Sequence, residues 1–270
     1  MHLLHTHAIP YYVFTHLQAD NYTKHFITTR EGGVSPDAYA TLNLGFNKQE
    51  SESNMIETRQ KVANAINNPI AHFCMPSQTH SKRVVNVYTK DRGKGVYPTT
   101  QAIPATDALI TNVPQICLMV LSADCVPLLF YDPVQRVVAA CHAGWRGTVQ
   151  KIAQATLLQM QKDYHCHAEN ILVGIGPSIS KAHYEVGEDV VQATEQAFGT
   201  REGYLEWHAE KQKYHLDLWY ANQKQLLDVG VLATNIEIAA ICTYEQSATF
   251  FSARKHQGIT GRFGAGIMLL

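Results

Sequence analysis

A mixed α+β fold in one domain is what this sequence predicts, and three observations predict it. The chain has 270 residues, enough for one large core, and no compositional shift marks a linker that would divide it. Short apolar runs rich in β-branched residues, among them 116–121, 126–131 and 136–141, read as strands. Interleaved with them are segments with apolar residues at helical spacing, such as 148–161 with Val149, Ile152, Ala153, Leu157 and Met160. No internal repeat, heptad or low-complexity segment interrupts this alternation.

Composition narrows the function classes. Hydrophobic residues are 46% and charged residues 17% of the chain, which describes a globular protein with a sizeable core. A formal net charge of −1 gives no electrostatic footprint for nucleic acid or an anionic membrane, so small or locally captured ligands fit better. The opening MHLLHTHAIPYYVF lacks the features of a signal peptide, and no run approaches the roughly 20 apolar residues of a membrane span. A cytoplasmic protein that binds neither nucleic acid nor membrane is expected. The six cysteines are scattered without CxxC pairs, so free thiols are expected. His2, His5, His7, His165 and His167 are expected in solvent rather than on a metal.

In chain order, 24–29 reads as a strand that runs into TREGGVS at 29–35, where Gly32 and Gly33 let backbone N–H groups approach a ligand and Arg30 offers a cation. An ordinary exposed loop is the competing reading. Asn43, in the short piece 41–45, is placed to cap or to touch a ligand. Ser53 or Asn54 N-caps a helix to about Ile66, with Glu57 set for a capping box. His80 precedes the strand 84–88 and suits either local hydrogen bonding or metal ligation. The polar stretch 91–107 reads as a long surface loop flanking a site.

Chemistry concentrates in LMVLSADCVPLLFYDPVQRVVAACHAGWRG at 118–147. If 126–131 and 136–141 form a hairpin about the turn 132–135, Tyr131 faces Arg136 and Cys125 faces His142. Opposed residues share a face with Cβ atoms roughly 4.5–5.5 Å apart, which suits a thiolate and an imidazole on one zinc ion. The same pair also serves as a buried thiol beside a buried imidazole, or as the nucleophile and base of a metal-free cysteine hydrolase. A one-residue slip would send one side chain to the other face. His80 is the candidate third ligand, and Asp124 orients a ligand or a turn. The amides of 144–148, from Gly144 onward, and the guanidinium of Arg146 favour an anion such as phosphate, with a structural ion pair as the alternative.

Farther on, 171–175 reads as a strand and 188–198 as a helix closed by Gly199. Asp217 caps a helix that Gly230 ends, 236–241 is a strand, and the last strand lies within 264–270. Arg254 and Arg262 serve either a ligand or a carboxylate.

TTREGGVS, HS at 80–81, ADCVP at 123–127, CHAGWRG at 141–147, GPSI at 176–179, YEVG at 184–187, CT at 242–243 and FFSAR at 250–254 follow one another in an order that resembles the YfiH/YlmD family. Its members were formerly described as laccase-domain proteins or polyphenol oxidoreductases and are now regarded as purine nucleoside enzymes. The resemblance covers nearly the whole chain. It implies a single α/β/β/α-layered domain over 1–270, with helices packed outside mixed sheets, and a zinc site made by His80, Cys125 and His142. It also implies phosphorolysis of adenosine, inosine, guanosine and methylthioadenosine, together with deamination of adenosine, so purine nucleosides and phosphate are the expected partners. Three protein ligands leave a fourth position open, the catalytic arrangement. On this reading Arg30 and Arg146 face phosphate or ribose, Gly32, Gly33, Asn43, Gly144, Tyr184 and Arg254 contact substrate, and Cys242, Tyr184 or water protonates the leaving base. Copper is the alternative metal. A copper-dependent polyphenol oxidase would need more histidines than the motifs contain, and a structural zinc protein would need a fourth ligand.

Overall fold

The computed structural model describes residues 1–18, 20–46 and 50–270. Its strands begin with β1 (His2–His5), β2 (Pro10–Val13), β3 (Thr23–Thr28), β4 (Phe73–Cys74), β5 (Val84–Asn86), β6 (Ala108–Thr111) and β7 (Cys117–Ser122). They continue with β8 (Val126–Asp132), β9 (Val137–Ala143), β10 (Leu172–Ile175), β11 (Glu185–Val186), β12 (Leu205–His208), β13 (Lys213–Leu216), β14 (Ile236–Ile238) and β15 (Phe263–Leu269). The helices are α1 (Glu52–Ala65), α2 (Trp145–Val149), α3 (Ile152–Tyr164), α4 (Glu188–Phe198) and α5 (Leu218–Asp228). One six-stranded sheet has the order β1-β2-β3-β15-β7-β4, a second has β14-β10-β8-β9-β6-β5, and β11-β13-β12 form a small third. Both large sheets are mixed: β4 pairs parallel with β7, and β5 with β6, among antiparallel neighbours.

Three clusters of buried side chains fix the layers. Val62, Ala63 and Ile66 of the α1 region pack with Phe26, Phe73 and Met119 on the outer face of the first sheet. Ile27, Val120 and Ala265 of that sheet meet Leu129, Val138 and Ala140 of the second in the layer between them. On the far side, Leu128, Phe130 and Ala139 pack with Ile152, Leu157, Val190 and Leu226 from α3, α4 and α5. This is the α/β/β/α order expected from the sequence. Every residue of β8 and β9 is buried, so these strands read as continuous apolar runs whose alternate residues serve two different cores. All six cysteines are free. Among the described residues, no helix is long and apolar enough to cross a membrane.

Several expectations shift. The hairpin register moves by two residues: Tyr131 pairs with Val138, and His142 faces Pro127 rather than Cys125. The loop is 133–136, because Asp132 Oδ1 accepts from the N–H groups of Val134 and Gln135 and Arg136 takes a positive φ of 52°. An even shift preserves faces, so the parity argument survives while the direct opposition does not. The helix placed at 148–161 is interrupted, since Lys151 adopts a left-handed φ of 64° between α2 and α3. Ser51, not Ser53 or Asn54, caps α1 by accepting from the Asn54 N–H. The stretch 91–107 is not wholly a surface loop, because Asp91, Thr106 and Asp107 at its ends are buried. Buried Arg59 of α1 donates to the carbonyls of Leu44, Gly95 and Val96, tying two loops to one helix.

Replacing Asp132 with Ala removes the acceptor that sets the hairpin loop. The expected loss is about 1–3 kcal/mol, read as a lower midpoint in denaturant unfolding with an unchanged slope. An undiminished midpoint would show that the register is set elsewhere.

Candidate metal centre

His142 lies near the end of β9, on the parity of Val138 and Ala140, and so faces the layer between the two large sheets. Cys125 immediately precedes β8, on the parity of Leu129 and Tyr131, where the chain crosses from the first sheet to the second. The crossing bends sharply at Asp124, whose φ is 92°. His80 approaches from the loop ahead of β5, with a left-handed φ of 59°. The ligand atoms of these three residues lie within 4.8 Å of one another. Cys125 Sγ is 3.9 Å from His80 Nε2, and the two imidazole rings meet edge to face at 4.9 Å. Tetrahedral zinc with bonds near 2.0–2.3 Å holds its donors about 3.3–3.8 Å apart, so small side-chain movements close the set around one ion. Among the described residues the group contains these three donors and no fourth His, Cys, Asp or Glu.

The residue that organises the group is Asp107, which the sequence reading took for the end of a surface loop. It is 0% exposed. Its Oδ1 accepts from His142 Nδ1 at 2.9 Å and from the His80 N–H at 3.0 Å. Its Oδ2 accepts from the Ser81 N–H at 2.7 Å, from Ser81 Oγ at 2.8 Å and from the Thr79 N–H at 3.2 Å. Burial alone would raise this carboxyl, but the hydrogen bonds from His142 and Ser81 hold it down at about 2. One anion therefore fixes the tautomer of one imidazole, leaving Nε2 for a metal, and shapes the loop that carries the other.

Electrostatics within the group favour ligation. Burial works against a thiolate at Cys125, yet the neighbouring His142 charge and hydrogen bonds from both imidazoles bring it down to about 6. Burial likewise opposes a charged His142, but Cys125 and the Asp107 hydrogen bond raise it to about 9. The thiolate is thus available at neutral pH, and a cation displaces the imidazole proton. Gly144 is required here: a Cβ on it would stand 2.7 Å from His80 Cδ2 and 2.9 Å from Cys125 Sγ.

The three donors form one wall of a cleft of about 360 Å³, whose other walls include Phe46, Gln78, Leu121, Ala253 and Arg262. Phe46 stands at the rim, 55% exposed. Arg262 is fixed by its N–H donating to Asn43 Oδ1, which also accepts from the Gly45 N–H. Phe46, Gln78 and Arg262 were not singled out as site residues from the sequence; only Arg262 carried a signal, as a cation beside the last strand.

The remaining predicted residues divide. Asn43 is buried and organises the rim, its Nδ2 donating to the Gly45 carbonyl and to Glu50 Oε2. Arg30 does not line the cleft: Nε and NH1 donate to the carbonyls of Ala40 and Ser247, and its guanidinium lies over Phe251 at 4.7 Å. Gly33 serves the same loop, since a Cβ on it would lie 2.1 Å from the Thr41 carbonyl oxygen, and Gly32 turns the chain at a φ of 91°. These three residues therefore support the segment that carries Gly45 and Phe46. Arg146 is exposed beside Trp145, and among the described residues it has no ion-pair partner. Arg254 donates to the carbonyls of His183 and Glu185 and lies 5.1 Å over the Tyr184 ring. Burial and the nearby Cys125 charge push the Tyr184 phenol well above its ordinary pKa.

Residues 24–270 match the protein family described as multi-copper polyphenol oxidoreductase laccase. The chain is 36% identical over 235 residues to the purine nucleoside phosphorylase YlmD of Bacillus subtilis (strain 168), covering 87% of this chain and 84% of the relative. It is 33% identical to the adenosine deaminase RL5 of an unknown prokaryotic organism, covering 90% of this chain and 92% of that one. The crystal structure of the Bacillus licheniformis hypothetical protein YfiH superposes with a TM-score of 0.88 at 31% identity, covering 92% of this chain and 93% of the other.

Asp107→Asn keeps the shape but replaces acceptor lone pairs with N–H donors. The expected outcome is a loss of about 2–4 kcal/mol in stability and about 10–100-fold in metal affinity. Because the folded pKa lies below the ordinary 3.8, this carboxylate stabilises fully above that value and loses its effect as pH falls through about 2. The stability gap between wild type and variant, measured by acid-dependent unfolding, should close across that window; a gap constant with pH would count against this role.

Proposed function

The chain belongs to the family described as multi-copper polyphenol oxidoreductase laccase, and within that family we propose that it is a zinc-dependent purine nucleoside enzyme. The proposed reactions are phosphorolysis of adenosine, inosine, guanosine and methylthioadenosine to base and ribose 1-phosphate, and deamination of adenosine. Residues 1–270 are taken as one domain with this activity. The observation that carries the reading is the three-donor group with one open side facing a cleft. At about 360 Å³ the cleft falls in the roughly 300–1,000 Å³ range of small-molecule sites. The relatives named above as a phosphorylase and a deaminase supply the substrate class.

His80, Cys125 and His142 would hold the ion, with Asp107 orienting His142. Bound there, zinc supplies Lewis acidity. Everything else falls to the chain's own groups. Arg146, exposed and among the described residues without an ion-pair partner, follows by two residues the Gly144 that packs against His80 and Cys125, and offers a fork of donors to phosphate. Tyr184 keeps its proton at neutral pH and can donate a hydrogen bond to the departing base or to ribose, while Arg254 holds its ring in place.

Copper-dependent oxidation of phenols is the second reading, favoured by the family's description. It calls for several coppers, and the His80, Cys125 and His142 group accommodates one ion.

Incubating pure protein with adenosine should give adenine and ribose 1-phosphate only when phosphate is present, and inosine with or without it. Metal-loaded protein that yields none of these products would overturn the proposal. His80→Ala should abolish metal binding at the His80, Cys125 and His142 group and both activities. Arg146→Lys should keep the metal and raise the KM for phosphate about tenfold or more. Equal loss of metal in the two variants would refute this division of roles.

A further inference from the structure

A second set of metal donors lies outside the cleft, on residues that the proposed reaction does not require as ligands. We propose that His183, Cys242 and Glu245 form a second divalent-cation site of zinc type.

Their three ligand atoms lie within 4.8 Å of one another, as in the first group. Cys242 and Glu245 come from one turn, closed by the Gln246 N–H donating to the Cys242 carbonyl at 2.8 Å. His183 comes from a separate short turn ahead of β11. The two segments are joined where Cys242 bridges Ser178 and where the Thr243 N–H donates to the Ser178 carbonyl. The donor set therefore sits on backbone that is already paired. Thiolate, imidazole and carboxylate are the ligand types zinc takes, and three of them leave a position open.

Each donor is held in orientation. The His183 ring stacks on Tyr244 at 4.5 Å and 16°, and its carbonyl accepts from Arg254. Its Nε2 meets Glu245 Oε1 at 2.7 Å, so the imidazole and the carboxylate already converge. Cys242 is buried, and its Sγ accepts from the Ser180 N–H at 3.4 Å, a contact that orients the sulfur. Cys242 and Glu245 also line a separate cavity of about 330 Å³. A half-exposed His183–Glu245 ion pair beside an unrelated thiol is the plain alternative, and such a surface pair stabilises little.

The two groups are neighbours through one buried contact. Asp124, the residue before Cys125, accepts from the hydroxyl of Thr243, the residue after Cys242, at 2.6 Å.

Metal-stripped protein titrated with cobalt(II), read by thiolate-to-cobalt absorption and by metal per chain, tests the site. Wild type should take up two thiolate-linked ions, Cys125→Ser one, Cys242→Ser one, and the double variant none. The exposed Glu245→Gln, which leaves the buried thiol in place, should weaken one of the two ions about tenfold or more and leave the other unchanged. Wild type that takes up a single ion, lost in Cys125→Ser and unaffected by Glu245→Gln, overturns the second site and spares the proposed function. A single ion kept in Cys125→Ser and lost in Cys242→Ser upholds the second site and overturns the metal of the proposed function.

Discussion

A single buried carboxylate carries the geometry of the candidate metal centre. Asp107 gathers the N–H groups of Thr79, His80 and Ser81 onto its two oxygens together with His142 Nδ1. A charge removed from water persists only where donors replace its hydration, and here the donors are also the elements that must be positioned. The loop takes its left-handed turn at His80 because three successive N–H groups converge on one acceptor. The His142 N–H also donates to the Asp107 carbonyl at 2.7 Å, so backbone and side chain of the same residue fix the same ligand. Two of the three donors are thus set by a residue outside the donor group.

The third donor is placed by a comparable device. Asp124 turns the chain between the two sheets in a conformation that is strained for any residue but glycine. Its carboxylate accepts from Thr243 Oγ1 and from the Arg254 N–H, both at 2.6 Å, while its carbonyl accepts from the Ile179 N–H. Those contacts explain why GPSI, CT and FFSAR, distant in sequence, belong with ADCVP: they surround the bend that presents Cys125. Strain of about 1–3 kcal/mol at such a residue is sustained where surrounding contacts over-determine it.

Much of this architecture was legible because periodicity reports burial. The unbroken apolar runs of β8 and β9, the Gly199 stop of α4 and the Asp217 cap of α5, which accepts from the Tyr220 N–H, all follow from local chemistry. Parity placed Cys125 and His142 on one face, whereas their register depended on which residue accepts the turn's N–H groups, a choice between neighbours that composition does not make. The role of Asp107 left no pattern, since an aspartate ending a polar stretch looks the same whether it meets water or three amides. Arg30 shows a related limit: an arginine beside paired glycines resembles an anion site, and only the fold reveals that its Nε and NH1 donate to the carbonyls of Ala40 and Ser247. The strands β1, β2, β12 and β13 went unread because short, partly exposed segments carry little periodicity.

How the cleft treats its ligand follows from which of its polar groups remain free. Gln78 pairs its amide with both the N–H and the carbonyl of Leu121 at 2.8 Å. Asn43 Oδ1 is taken by Gly45 and Arg262, and Arg262 itself donates to the carbonyls of Thr260 and Gly261. The amides of Gln78 and Asn43 and the NH1 of Arg262 are therefore engaged within the protein. What the rim presents is the exposed ring of Phe46, and stacking on an aromatic face accepts every purine because each has such a face. A site that hydrogen-bonded the base edge would reject analogues by leaving buried polar groups unpaired, and this one has few to leave. If the chain acts on purine nucleosides as proposed, discrimination among adenosine, inosine and guanosine by the cleft wall is weak. Selectivity then rests on what the metal donors and the groups near Arg146 do at the reacting atom.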